Sequence, residues 1–240
     1  MSHNAAEMDI QIETERIERE RKWEQYSIPR MTQIVPGLVL GNVQSSWNIK
    51  MLMDNRIKAI VSLSDGPWAL WRSHTRRAVP EDHHKWVQAA DSPTQDLLKY
   101  MRDICDFIDQ LASPELSSLA SLPVDAQHIT DDKPEAIMIH CDLGISRSPT
   151  VVIAYLMCKL HIPQTEALEF VRMKQTPIRV RPSTNFARQL QVWDEVGYQV
   201  WADEEKTVPK APYKAYLEHR AVLLEKSGLT GNEPLAPLSL

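Results

Sequence analysis

Apolar positions change period along the chain, and each change marks an element. Thr32 to Asn42 (TQIVPGLVLGN) holds two short apolar runs around Pro36-Gly37, which predicts two strands and a turn. Ser46 to Asn55 predicts a short helix. Ile57 to Leu63 (IKAIVSL) is an apolar run suited to a buried strand, closed by the turn residues Ser64-Asp65-Gly66-Pro67. Trp68, Leu70 and Trp71 follow as a loop cluster that either lines a cleft or covers the edge of the core. His84 to Ala90 predicts another strand. Ser92, Pro93 and Gln95 then stand as N-cap, N1 and N3 of a capping box. The helix beyond it carries one apolar stripe of Leu97, Leu98, Met101, Ile104, Cys105, Ile108 and Leu111. Asp91 lies just outside the cap.

Residues 135–139 predict a strand, and Val151 to Leu160 is apolar on nearly all sides, as befits a helix inside a domain. Cys158 belongs to that helix and Cys105 to the stripe before it, so both read as inert packing. Ile162-Pro163 opens a helix with Ala167, Leu168 and Val171 inward. Another starts near Ser183, buries Phe186, Leu190 and Trp193, and stops near Gly197, a C′ glycine.

The flanks differ in pattern. Residues 1–29 form a charged extension with acid–base pairs at helical spacing, such as Glu15 with Arg19 and Glu18 with Lys22. Residues 113–133, rich in Ser, Pro and acid, read as a surface insertion. Residues 200–240 hold a linker, a docking helix over 212–226 with Tyr213, Tyr216, Leu217 and Leu224 on one face, and a disordered tail. The domain proper spans 30–199. Strands alternating with helices predict an α/β domain with helices on both faces of the sheet. Ligands in such sheets sit beyond the strand C-termini, where loops enter helices. Two such loops stand out, one with Asp91 and one running from Cys141 to Arg147.

Composition narrows the partners. The 240 residues carry a net charge of −5, which argues against nucleic acid or an anionic membrane surface. Three cysteines supply no disulfide framework and no metal-spaced cluster, so no metal or cofactor is implied. They suit a reducing compartment, and no signal peptide or long apolar run is present; a cytoplasmic or nuclear location is expected.

The chemistry lies between Ile137 and Ala154. A cysteine ends an apolar strand and an arginine opens an apolar helix, with Asp142, Leu143, Gly144, Ile145 and Ser146 between them. Backbone N–H groups of such a loop can converge on one point, and the helix N-terminus adds unsatisfied donors. Arg147 offers a planar fork for two phosphate oxygens. The same field favours the thiolate of Cys141, a nucleophile that needs no separate base. A leaving alkoxide needs a proton; Asp91 is the first candidate donor and Asp96, five residues on, the second. Ser148 could hydrogen-bond the sulfur and help it leave.

The string His140-Cys141-Asp142-Leu143-Gly144-Ile145-Ser146-Arg147-Ser148, with the strand and helix around it, resembles the cysteine-based protein tyrosine phosphatases of the dual-specificity class, small VH1-related type. Ile34 to Asn42, Ala90-Asp91-Ser92-Pro93, and Asn185-Phe186 through Gln189-Leu190 resemble further blocks of that family. The resemblance covers residues 30–196. It implies a central mixed sheet flanked by helices on both faces. It also implies Cys141 as nucleophile, Arg147 as phosphate clamp, Asp91 as general acid and Ser148 as an aid to dephosphorylation. His140 would tune the thiolate from behind. The implied substrate is a phosphorylated protein, with phosphotyrosine and phosphoserine/threonine both hydrolysed. Asp142 departs from basic loop interiors found in phosphoinositide phosphatases of the superfamily, which disfavours a highly charged lipid or RNA 5′-triphosphate. Arg179 and Arg181 could read an acidic flank or serve only as surface charge.

Overall fold

The computed structural model describes residues 16, 28–65, 75–123, 133–175 and 180–231. The expected N-terminal helix (apart from Arg16, which is helical), the Trp68–Trp71 cluster, Arg179, the later part of the expected insertion and the tail from 232 lie outside the described residues.

The two runs around Pro36-Gly37 form β1 (Met31–Val35) and β2 (Leu38–Asn42). Gly37 turns between them at φ +82°, and a Cβ there would stand 2.6 Å from Ser113 Oγ. β3 (Ile57–Ser64), β4 (His84–Gln88) and β5 (Ala136–Cys141) complete a sheet of order β1-β2-β5-β3-β4. β1 is antiparallel to β2, and every other neighbouring pair is parallel. The sheet is therefore mixed, and β5, the carrier of the cysteine, is its buried middle strand.

Period-2 geometry sends alternate residues of each central strand to opposite faces. Leu40, Val61, Leu63 and Ile139 join the larger cluster, while Val39, Ile60 and Met138 join a smaller one with Leu52 and Val79. The larger cluster includes residues of α3 (Leu98–Leu111), α5 (Arg147–Leu160), α6 (Gln164–Lys174), α7 (Thr184–Glu195) and α8 (Ala211–Lys226). The smaller face is covered by α2 (Ile49–Asp54). Helices thus flank both faces. The single helix expected over 46–55 is two, because Asn48 breaks the path: α1 (Val43–Trp47) ends there, and Asn48 accepts from Met51 N–H to start α2.

Three expectations are corrected. The capping box does not form. Residues 92–97 stay outside the helix, Gln95 Oε1 accepts from Ala90 N–H at 2.8 Å, and the first N–H groups of α3 are capped from a distance. Leu97 and Leu98 N–H both donate to Gln189 Oε1 of α7, at 2.7 and 3.2 Å. The segment expected as an insertion from 113 begins inside the core: Ser113 caps α4 (Pro114–Ser117), and Ser113 and Leu116 are both buried. Cys158 is only half-buried and faces Cys105, with Arg102 Nη1 at 3.8 Å from its sulfur. The Cys105 thiol's hydrogen bond and the Arg102 charge lower the Cys158 pKa to about 7 against the effect of burial.

Among the described residues no helix is long and apolar enough to cross a membrane.

Candidate active site

Because β2, β3, β4 and β5 run parallel, their C-terminal ends meet on one edge of the sheet. Asn42, Asp65, Ala89 to Asp91 and Cys141 all stand at that edge. The loop from Cys141 to Arg147 is tied to this frame through its carbonyls. Asp142 O accepts from Val43 N–H at 3.2 Å, Leu143 O from Arg30 Nη2 at 3.0 Å, and Ile145 O from Arg181 N–H at 2.8 Å. Ser146 O accepts from the Thr150 hydroxyl at 2.7 Å. A planar trans peptide points its N–H opposite its C=O. Anchoring these carbonyls outward therefore turns the N–H groups of residues 143, 144, 146 and 147 toward the inside of the loop.

Cys141 sits there, 2% exposed. Gly144 N–H donates to its Sγ at 3.3 Å and the Ser148 hydroxyl at 3.1 Å. Two donors thus converge on one sulfur. Gly144 has φ +72°, and a Cβ there would lie 2.8 Å from Gly41 O on β2, so only glycine lets the loop close against the sheet.

Arg147 is 5% exposed and turned inward. Its Nη1 donates to Asp65 Oδ1 at 3.0 Å and to Ala89 O at 2.8 Å; its Nη2 donates to Asp142 Oδ2 at 2.5 Å. Nε is buried with no hydrogen-bond partner among the described residues. Burial opposes the charge, but Cys141, Asp142 and Asp65 more than offset it, and the Arg147 pKa is raised. Burial, reinforced by Asp142 and Asp91, raises the Asp65 pKa even against Arg147.

Asp91 is exposed, yet Ser146 Oγ donates to its Oδ1 at 3.1 Å. The same Ser146 oxygen accepts from Ser183 N–H at 3.3 Å. Asp96, the second acid candidate, is 4% exposed and receives the Tyr213 hydroxyl at 2.7 Å, so it is a packed structural group away from the loop. Arg181 is exposed.

His140 is fully enclosed behind the loop. Its Nε2 is hydrogen-bonded to Ser62 Oγ at 2.6 Å, and the same hydroxyl meets His84 Nε2 at 2.8 Å. Burial pushes the His140 pKa down to about 4, Arg147 adding to the effect and the Cys141 backbone opposing it. Burial, then the His140 charge, lowers His84 to about 3. Asp65, Ser62 and His84 were not anticipated as site residues. Asp65 read only as a turn former, although its place after a parallel strand was a usable signal. Nothing local marked Ser62 or His84, whose link to His140 exists only across strands. Among the described residues no group of three or more His, Cys, Asp or Glu side chains is placed to hold a metal ion.

The family profile "Dual specificity phosphatase, catalytic domain" matches residues 124–196. Dual specificity protein phosphatase 22 of Mus musculus is 30% identical over 179 residues, spanning 73% of this chain and 81% of that protein. The chain belongs to the dual-specificity phosphatase family. It is a cysteine-based protein phosphatase with a mixed-sheet α/β fold. The dual-specificity phosphatase 22 of Homo sapiens is 29% identical over 178 residues, with the same shares covered. Among solved structures, the phosphatase domain of Yvh1 from Chaetomium thermophilum is 27% identical at a TM-score of 0.53, covering 71% of this chain and 97% of that one. The family profile ends at residue 196, so α8 of this dual-specificity phosphatase lies past it.

Proposed function

We propose that residues 30–199 hydrolyse phosphotyrosine and phosphoserine/threonine on proteins through a phosphocysteine. The carrying observation is the Ser146 hydroxyl, which joins the Asp91 carboxyl to the loop that holds Cys141. One proton donor and one nucleophile therefore face the same small volume. Cys141 Sγ bonds to phosphorus as the phosphorus–oxygen bond of the ester breaks, and the Asp91 carboxyl gives its proton to the departing oxygen. Water then bonds to phosphorus as the sulfur–phosphorus bond breaks, its proton passing to Asp91. The Ser148 hydroxyl, already donating to the sulfur, helps it leave.

The inward N–H groups and Arg147 would hold the equatorial oxygens. To do so the guanidinium must trade Asp65 and Asp142 for the phosphate. Its Nε, without a partner among the described residues, is ready for an oxygen. Asp65, Asp91 and Asp142 make the rim acidic, which suits a single phosphate on a peptide better than a polyphosphate or a clustered inositol phosphate. Asp142 to Ser146 supply the cradle, and His140 supports it from the sheet.

The test pairs turnover with binding. Wild type should hydrolyse p-nitrophenyl phosphate and singly phosphorylated peptides. Cys141→Ser should abolish turnover while still binding a phosphotyrosine peptide. Inert wild-type protein that binds the peptide would replace the enzyme by a binding module.

A further inference from the structure

The loop that carries Asp91 has little internal support. Between β4 and α3 it holds no regular structure, and its own bonds are few, chiefly Ala90 N–H to Gln95 Oε1 and Gln95 N–H to Ser92 O at 3.3 Å. Most of its polar groups are satisfied from outside. α7 contributes Asn185 Nδ2, which donates to Ser92 O at 3.1 Å and Gln95 O at 2.8 Å, and Gln189 Nε2, which donates to Gln95 O at 2.7 Å. α8 contributes three more groups. Arg220 Nε donates to Thr94 O at 2.6 Å, the Tyr216 hydroxyl lies 3.2 Å from both Gln95 O and Asn185 Oδ1, and the Tyr213 hydroxyl donates to Asp96 Oδ2 at 2.7 Å.

These three groups touch three successive residues of the loop, Thr94, Gln95 and Asp96. They come from one face of one helix at helical spacing, residues 213, 216 and 220. Tyr213 and Tyr216 are buried, their rings stacked 6.3 Å apart, and Trp201 meets Tyr213 edge-on at 5.3 Å. The Arg188 guanidinium of α7 lies 5.9 Å over the Tyr216 ring. The helix is thus fixed to the domain on its own account, and its donors reach the loop from a rigid base. None of them touches the Cys141 loop.

We infer that α8 is a positioning element of the active site: Tyr213, Tyr216 and Arg220 hold the 91–97 loop in the conformation that keeps the Asp91 carboxyl against Ser146. The inference rests on Asp91 being the general acid. Irregular backbone supported by few internal bonds samples several conformations unless its carbonyls are held. Displacement of a proton donor by about 1 Å can cost on the order of 100-fold in rate. The residues of α8 act through Asp91 and are positioning residues, not catalytic ones.

Leaving-group dependence separates this role from general stabilisation. p-Nitrophenolate departs with little help, whereas phenolate needs a proton. In the full-length protein, Asp91→Asn should depress kcat on phenyl phosphate about 100-fold more than other steps allow, and more than on p-nitrophenyl phosphate. Arg220→Ala and Tyr213→Phe should show the same selectivity at smaller size, the fall on phenyl phosphate exceeding that on p-nitrophenyl phosphate by about tenfold, with KM little changed. Arg220→Lys, which keeps a donor, should restore part of the loss. Val222→Ala, on the exposed side of the helix, should leave both esters alone.

Equal falls on the two esters, or none in folded Arg220→Ala, would overturn the brace. If Tyr213→Phe does not fold, Arg220→Ala decides alone. If Asp91→Asn itself shows no leaving-group selectivity, the acid assignment fails, and the brace loses its object.

Discussion

Arg147 is the residue on which substrate binding turns, and it is already engaged. Asp142 and Asp65 occupy its guanidinium at 2.5 and 3.0 Å, in side chains each about a third exposed. A phosphate dianion must displace them and then tolerate their negative charge nearby. Ion pairs to partly exposed carboxylates of this kind are worth about 1 kcal/mol, or about fivefold in affinity. Asp142→Asn keeps the side-chain volume and removes one competing charge. It should lower the inhibition constant for inorganic phosphate by about fivefold. The measurement is competitive inhibition of p-nitrophenyl phosphate hydrolysis, compared at low and high salt; an unchanged constant would mean that Asp142 leaves Arg147 at no cost. Cys141, Arg147 and Asp91 were legible in the sequence because loop chemistry is local there: strand end, glycine, helix start. Asp142 was visible as a charge out of place, but its partner was not, since the partner depends on how a buried side chain turns.

Across elements, the hydrogen-bonded series from His140 to Ser62 to His84 crosses β5, β3 and β4 behind the catalytic loop. Both imidazoles are neutral at pH 7, with pKa values lowered to about 4 and about 3. An unfolded chain takes up these protons near pH 6.5, whereas the folded one resists until about pH 4. The unfolded state therefore binds more protons across that window, and stability falls as pH drops through it. His140 alone should account for a loss on the order of 3 kcal/mol. Urea unfolding between pH 7.5 and pH 4.5 reads this slope directly, and His84→Gln should make it shallower. A flat profile would mean that neither ring resists protonation in the fold. The elements themselves were largely readable from the pattern, because strands covered on both faces, as β3 and β5 are, read as short continuous apolar runs. The capping box failed for a physical reason. Ser92 and Gln95 have the right spacing, but Gln189 of α7 supplies the oxygen that α3 needs, and that contact spans 92 positions of sequence. With its local partner outcompeted, Gln95 folds back onto Ala90 and leaves the loop open around Asp91.

At the scale of the whole molecule, the family profile and the folded unit do not end at the same place. The profile ends at 196, whereas α8 runs to Lys226, buries Tyr213 and Tyr216 in the domain core and also buries Leu224. Its amphipathic face was readable from the spacing of those residues, yet what it covers was not, because the surface it meets is assembled from α7 and the 91–97 loop. Full burial of one such side chain contributes about 1.5–3 kcal/mol, and Trp201 and Val200 add to the seam. Three such side chains are comparable with the net stability of a domain, about 5–15 kcal/mol. A chain ended after Gly197 should therefore lose several kcal/mol and uncover the Asn185–Arg188 side of α7. Its urea midpoint should fall sharply, or the protein should aggregate before a midpoint can be read. The full chain with Val222→Ala serves as the control for a surface change on the same helix. An unaltered midpoint would make α8 an appendage to the domain. A lowered midpoint would carry the folded unit past Gly197 to include α8, so that the helix bracing the acid loop is also part of what keeps the domain folded.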